Sequence, residues 1–241
     1  MPSPLPLRPA PIQRETVPSF LSRISAMNGV GCIDFALDLG FSLKRVVHLD
    51  ETALRQLTNC GDLSPYRLEE LISWTGRQIG DVRTDFRGEV FVTRAIVNPV
   101  VRGCPICLRE DAQKDTGKPL QHMVMRGHWQ LREVSVCLDH SHILVSLWEK
   151  SNRTARYDYS ERLPEILPKL MNSDFDQQYV KPSPHDHWID ERLATGQDKT
   201  WLAQHSLYAA TTLCRLLGTE LLRLDPPTLL DAIAQRRSAQ A

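Results

Sequence analysis

The strongest constraint in this chain is a set of four residues in two matched pairs. Cys104 and Cys107 enclose two residues, Cys137 and His140 enclose two more, and 29 residues separate the pairs. Three thiolates and one imidazole at this spacing suit the tetrahedral, closed coordination of a structural Zn²⁺. A closed site has no open position for a substrate or an activated water, so the set argues for a scaffold that presents a surface. His142, two residues beyond His140, is the alternative fourth ligand; the matched gap favours His140.

The remaining patterns give catalysis no support. A zinc deaminase needs His-x-Glu with Pro-Cys-x-x-Cys, but here Pro105 sits inside the first pair and no His-x-Glu occurs. The His-Glu-x-x-His metalloprotease pattern, the Gly-x-x-x-x-Gly-Lys phosphate loop and the Gly-x-Ser-x-Gly elbow are all missing. His185-Asp186-His187 reads as a solvated helix start. The expectation is a protein that is not an enzyme.

Around the metal set the chain reads as mainly α with small β content. Residues 1–98 form a Pro-rich arm and a helical domain, residues 99–150 a zinc-binding module, and residues 151–241 a helical C-terminal region. Five prolines within residues 1–14 exclude helix there. Helical periodicity runs over residues 15–28, stopped by Gly29, and over 33–39, stopped by Gly40. A third helix opens at the N-cap Asp50, and a fourth at Ser64-Pro65 with Leu68, Leu71 and Ile72 as its apolar stripe and Gly76 at its end.

A weaker segment over residues 79–84 follows. Together 63–75 and 78–85 are the best place for a helix-turn-helix, with a helical hairpin packing its own core as the plainer alternative. Val90, Val92, Val97 and Val100 then shift the pattern toward strand. Beyond the zinc module, 151–160 reads as a polar linker, 163–171 as helix broken by Pro164 and Pro168, and 184–196 and 198–217 as helices. A last helix is expected from Pro226-Pro227.

Formal net charge is zero and charged residues make up 24% of the chain, so any nucleic-acid surface must be local. The arginines placed to make one are Arg77, Arg83 and Arg87 around the expected recognition helix, and Arg102, Arg109 and Arg126 near the knuckle. Glu69, Glu70, Asp81, Asp85 and Glu89 lie close in sequence, so an ion-paired, solvated face is the competing reading. No apolar run approaches the about 18 residues of a membrane span, and no secretory signal is seen at the N-terminus. Cys32, Cys60 and Cys214 stand apart from the metal set, and a reducing cytoplasmic setting is expected.

Two motifs carry a family resemblance. Leu5-Pro6-Leu7-Arg8-Pro9-Ala10-Pro11 is followed by Glu15-Thr16-Val17-Pro18-Ser19-Phe20-Leu21-Ser22-Arg23, and Cys104-Pro105-Ile106-Cys107 by Trp129 and Cys137-Leu138-Asp139-His140. In content and order, over about residues 5–150, these resemble the TniQ family of transposition accessory proteins. The resemblance implies zinc on Cys104, Cys107, Cys137 and His140, a helix-turn-helix, and a DNA-associated adaptor. Such an adaptor would link target DNA or a targeting complex to a transposition ATPase and transposase. Many members carry a further Cys-x-x-Cys pair after the histidine; this chain has only Cys214 there. The alternatives are a protein–protein adaptor without DNA affinity and a transcriptional regulator, neither serving transposition. Oligomeric state stays open, a homodimer being one arrangement.

Overall fold

The computed structural model describes residues 4–224, with helix at about 52% and strand at 12%. Its organising element is α1 (Val17–Met27). Thr16 caps the helix by accepting from the Ser19 amide, and Pro18 sits in the first turn, where its missing N–H has no partner to lose. Val17, Phe20, Leu21 and Ile24 are buried, and so are Ser19, Ser22, Arg23 and Ser25.

A helix buried all round must pair its polar side chains internally. Glu15, Ser19 and Arg23, spaced four apart on one face, do this. Ser19 Oγ donates to Glu15 Oε1 at 3.1 Å, and Arg23 Nη1 donates to Glu15 Oε2 at 2.8 Å. The network also reaches sequence-distant backbone: Arg23 Nε donates to the Gln121 carbonyl at 3.0 Å, and the Met125 amide donates to Ser19 Oγ at 2.9 Å.

Four short helices follow: α2 (Cys32–Asp38), α3 (Leu43–Val47), α4 (Glu51–Gly61) and α5 (Pro65–Thr75). Asp50 and Ser64 cap α4 and α5 as the sequence predicts, and Gly76 ends α5. The sequence reading assigns no helix to α3, which Ser42 caps and which buries Leu43, Val46 and Val47.

The expected second helix over 78–85 does not form. Its residues belong to an antiparallel meander of β1 (Arg77–Ile79), β2 (Arg83–Phe86) and β3 (Glu89–Val92), with Arg77 opposite Asp85 and Thr84 opposite Phe91. Thr84 and Phe86 are buried at alternate positions of β2. Arg87-Gly88, both at positive φ, make the two-residue turn into β3. Burial with a period of two, plus turn chemistry, outweighs the weak helical pattern. The helices joined by a short turn are instead α4 and α5, through residues 62–64, and the meander follows them.

After α6 (Thr93–Ile96) come β4 (Val100–Gly103) and α7 (Pro105–Gln113). Next are β5 (Val136–Cys137), β6 (His142–Ile143) and β7 (Val145–Glu149); β4 pairs antiparallel with β7, and β5 with β6. The stretch read as a linker holds α8 (Arg153–Arg156) and the start of α9 (Tyr159–Met171), with Arg156, Tyr157 and Tyr159 buried.

Pro164 and Pro168 do not break α9. Four residues apart, both lie on its exposed face, so the amide bonds they delete are on the wet side. Leu163, Ile166 and Leu170 are buried, and α9 packs on α1 and α7. A Ser183–Asp186 capping box starts α10 (Pro184–Thr195), and Gly196 ends it in the left-handed conformation. The helix read over 198–217 is instead a 3₁₀ turn, Trp201–Gln204, followed by α11 (Leu207–Leu224). The expected helix from Pro226 lies outside the described residues.

The main core takes residues from α1–α5, the cysteine region and α9. A second core joins Trp74, Phe86 and Phe91 to Leu131, Ile189, Leu193 and Leu207. Each core takes residues from all three stretches 1–98, 99–150 and 151–241. Among the described residues no helix is long and apolar enough to cross a membrane.

Candidate metal centre

Two local structures deliver the four donors. Cys104 ends the run of β4 and is the N-cap of α7, and Cys107 lies in that helix's first turn. Helix amides and the positive end of the helix dipole favour thiolate at this place. Cys137 ends β5, and the tight turn back to β6, with Ser141 at φ 49°, carries His140.

The ligand atoms of Cys104, Cys107, Cys137 and His140 all lie within 4.8 Å of one another. Cys107 Sγ is 3.6 Å from Cys137 Sγ, and His140 Nδ1 is 3.7, 3.2 and 3.6 Å from the sulfurs of Cys104, Cys107 and Cys137. Such a cluster can hold a metal ion.

The electrostatics of the bare donors lead to the same place. Cys137 is held far below the ordinary thiol range by hydrogen bonds from Cys104 and Cys107. Cys107 is pushed far above it by its bonds to the other two cysteines and by burial. Cys104 is drawn down by Cys107, but Cys137 and burial outweigh that pull, and it is pushed up to about 12. One negative charge is tolerated among three buried sulfurs; a second and third require a cation between them.

His140 turns Nδ1 to the sulfurs, and its Nε2 lies 3.1 Å from Glu110 Oε2 on α7. A carboxylate on the far nitrogen fixes ring orientation and tautomer in metal-binding histidines. The sequence reading does not single out Glu110. The available signal is its place one turn after Cys107.

His142 faces elsewhere. Its Nδ1 donates to the Ile143 carbonyl at 2.6 Å, and its Nε2 accepts from the Gln177 amide at 2.8 Å. With both nitrogens committed, it serves to tie the 172–183 loop to the hairpin. The Val180 amide adds a bond to the Ser141 carbonyl at 2.8 Å.

The six arginines divide. Arg77 and Arg83 are exposed on the meander, and the Arg77 guanidinium is 3.8 Å from Glu69. The other four, Arg87, Arg102, Arg109 and Arg126, have partners within the chain. Arg87 stacks 4.5 Å over Trp74 and donates to Glu70, Ser73 and the carbonyls of Leu193 and Ala194. Arg102 donates to the carbonyls of Trp129 and Leu131. Arg109 binds Ser173 and Asp176, pinning the 172–183 loop to α7. Arg126 pairs with buried Asp111 at 3.1 Å and lies 5.1 Å over Trp129. Arginine's planar fork suits such multi-carbonyl and stacking work as well as it suits phosphate, so residue type alone could not separate the two uses.

Comparison with known families decides the lineage. The TniQ family model matches residues 6–144. This protein belongs to the TniQ family. No curated protein matches the chain. TniQ is a non-catalytic family of transposition accessory proteins, and the match runs from the arm to just past the cysteine hairpin.

Both parts of the amino-terminal TniQ-like motif now have a physical meaning. The arm is strapped down by the Leu5 amide on the Cys60 carbonyl at 2.9 Å, Arg8 on Asp62 at 2.9 Å and Asn28 Nδ2 on the Leu7 carbonyl at 2.9 Å. The Glu15, Ser19 and Arg23 pattern is the buried network that fastens α1 to residues 121–125.

Proposed function

We propose that this protein is a non-enzymatic, zinc-containing adaptor that links target DNA, or a complex that selects it, to the transposase and ATPase of a transposon. The carrying observation is a closed Cys₃His donor set at the centre of a TniQ chain. A tetrahedron with Zn–S of about 2.3 Å and Zn–N of about 2.05 Å has S···S edges of about 3.8 Å and N···S edges of about 3.6 Å. Four of the six donor edges lie at 3.2–3.7 Å, near that frame, and all fall within 4.8 Å. Three thiolates also suit Zn²⁺ better than the hard cations.

In this reading the metal is a scaffold. The surface offered to nucleic acid is the exposed first turn of α5, with Tyr66 and Arg67, beside Arg77 and Arg83 of the meander. Arginines there would contact phosphate or base edges.

Metal analysis of the purified protein should return one zinc per chain. Cys104→Ser should lose the metal and become insoluble, because ligation energy in such sites is folding energy. A metal-free, folded and soluble variant would contradict the scaffold role.

A second reading, a protein–protein adaptor without intrinsic DNA affinity, draws on the four internally committed arginines and the zero net charge. A salt-titrated DNA-binding assay separates the two. Direct binding should weaken steeply as salt rises through counterion release, and no binding at low salt would favour the second reading.

A further inference from the structure

A cavity of about 270 Å³ lies where the arm, the cysteine hairpin and α10 meet. Its walls include Ile12 from the arm, Val136 and Leu138 from the hairpin and Ile189 from α10. Two arginines and four carboxylates also line it, and most of these are already engaged. Arg14 is bound through both of its terminal nitrogens by Asp190, Arg126 is bound by Asp111, and Asp186 caps α10. Glu133, which also lies within electrostatic range of Arg102, and Asp139 are the remaining carboxylates.

Two polar atoms there lack any hydrogen-bond partner among the described residues: His128 Nδ1 and Glu133 Oε2. His128 is only 8% exposed. Leaving such polar atoms dry and unmet costs on the order of 1–3 kcal/mol each, more for a charged group. That cost is recovered when a ligand supplies donors.

We propose that this cavity receives the arginine side chain of a partner protein, its alkyl stem against Ile12, Val136 and Ile189 and its guanidinium on Glu133, Asp139 and His128 Nδ1. The size is that of one long side chain, below the roughly 300–1,000 Å³ of ordinary small-molecule sites. Apolar walls together with carboxylates and a neutral imidazole suit a chain with an apolar stem and a cationic head. Five fixed N–H donors match several acceptors better than an ammonium does. If the proposed zinc is bound, three thiolates would leave the neighbouring Cys₃His centre with a net negative charge, which would add to the attraction. The cavity does not depend on the DNA-facing surface of the preceding section.

The test uses the full, metal-loaded chain and acetylated glycyl-arginyl-glycine amide, with lysyl and glutaminyl counterparts. Binding is followed by the ¹⁵N resonances of the His128 imidazole and by ligand-observed NMR. The arginyl peptide should shift the Nδ1 signal saturably, the lysyl peptide should bind more weakly, and the glutaminyl peptide should not bind. Glu133→Gln should weaken arginyl binding by about tenfold or more. Asp139→Asn should act in the same direction if Glu133→Gln does not fold. The proposal fails if the arginyl peptide gives no saturable shift at Nδ1, if the glutaminyl peptide binds equally, or if sulfate produces the shift instead.

Discussion

Arg23→Met tests the most consequential contact in the amino-terminal half. The Arg23 and Glu15 side chains are 5% and 0% exposed, and their ion pair is 2.8 Å long. Removing Arg23 leaves the Glu15 carboxylate with the Ile12 amide at 2.9 Å and Ser19 Oγ at 3.1 Å. It also strips a donor from the Gln121 and Ala10 carbonyls. Breaking a buried pair by deleting one partner costs about 3–5 kcal/mol. In a chain of this size that corresponds to a fall in melting temperature of roughly 6–20 °C. Arg8→Met is the control, since the Arg8–Asp62 pair is 36% and 59% exposed and should be worth about 0–1 kcal/mol.

The pH dependence has a definite sign. Burial already raises the Glu15 carboxyl above the ordinary glutamate value, against the pull of Arg23. A carboxyl whose folded pKa is raised contributes stability that is full below its unfolded pKa and is lost as pH rises through the folded one. Deleting Arg23 raises the folded pKa further, so the deficit of Arg23→Met should shrink in mild acid and widen in mild base. Urea unfolding of the metal-loaded protein across pH measures this. An Arg23→Met midpoint no lower than that of Arg8→Met, or a deficit that grows in acid, refutes the reasoning.

Three further outcomes are expected. Arg87→Ala should cost about 2–4 kcal/mol in urea unfolding through its orphaned partners without changing the salt slope of DNA binding, whereas Arg77→Ala and Arg83→Ala should each lower that slope by about 1 with little effect on stability. Gly127→Ala would put a Cβ 2.1 Å from the Trp74 carbonyl oxygen, and overpacking this severe should cost about 3 kcal/mol or more by thermal unfolding. His128, pushed down to about 3 mainly by burial, should stay neutral in a ¹⁵N titration through the mildly acid range. Its contribution to stability is present above the unfolded value of 6.5 and is lost as pH falls toward 3.

What could be read from the sequence was what local chemistry determines. The caps Asp50 and Ser64, the stop at Gly76 and the spacing within each cysteine or cysteine–histidine pair each follow from residues within a few places of one another. The misreadings occur where a distant partner decides. Residues 79–84 carry a faint helical period, but Phe86 and Phe91 have a core to enter, with Trp74, Ile189 and Leu207, that exists only once α10 and α11 are in place. Pro164 and Pro168 interrupt a helix in isolation, but packing of Leu163, Ile166 and Leu170 holds α9 together. Arg102 and Arg126 read as surface charge until their partners, Trp129, Leu131 and Asp111, are known.

The same distinction bears on how a single donor set comes together at the centre. Residues 121–130 run between the two halves of the donor set and are held from both sides: α1 grips Gln121 and Met125 through Arg23 and Ser19, and Arg102 and Arg126 grip Trp129 and Asp111. The 172–183 loop then closes over the hairpin through Gln177, Val180 and Arg109. The donor pairs therefore meet across a segment that three other parts of the chain have already fixed. A metal ion held by these donors would tie the amino-terminal helices to the region that follows. The residues that position the donors lie mostly outside the cysteine motif, on α1 and in the carboxy-terminal loop.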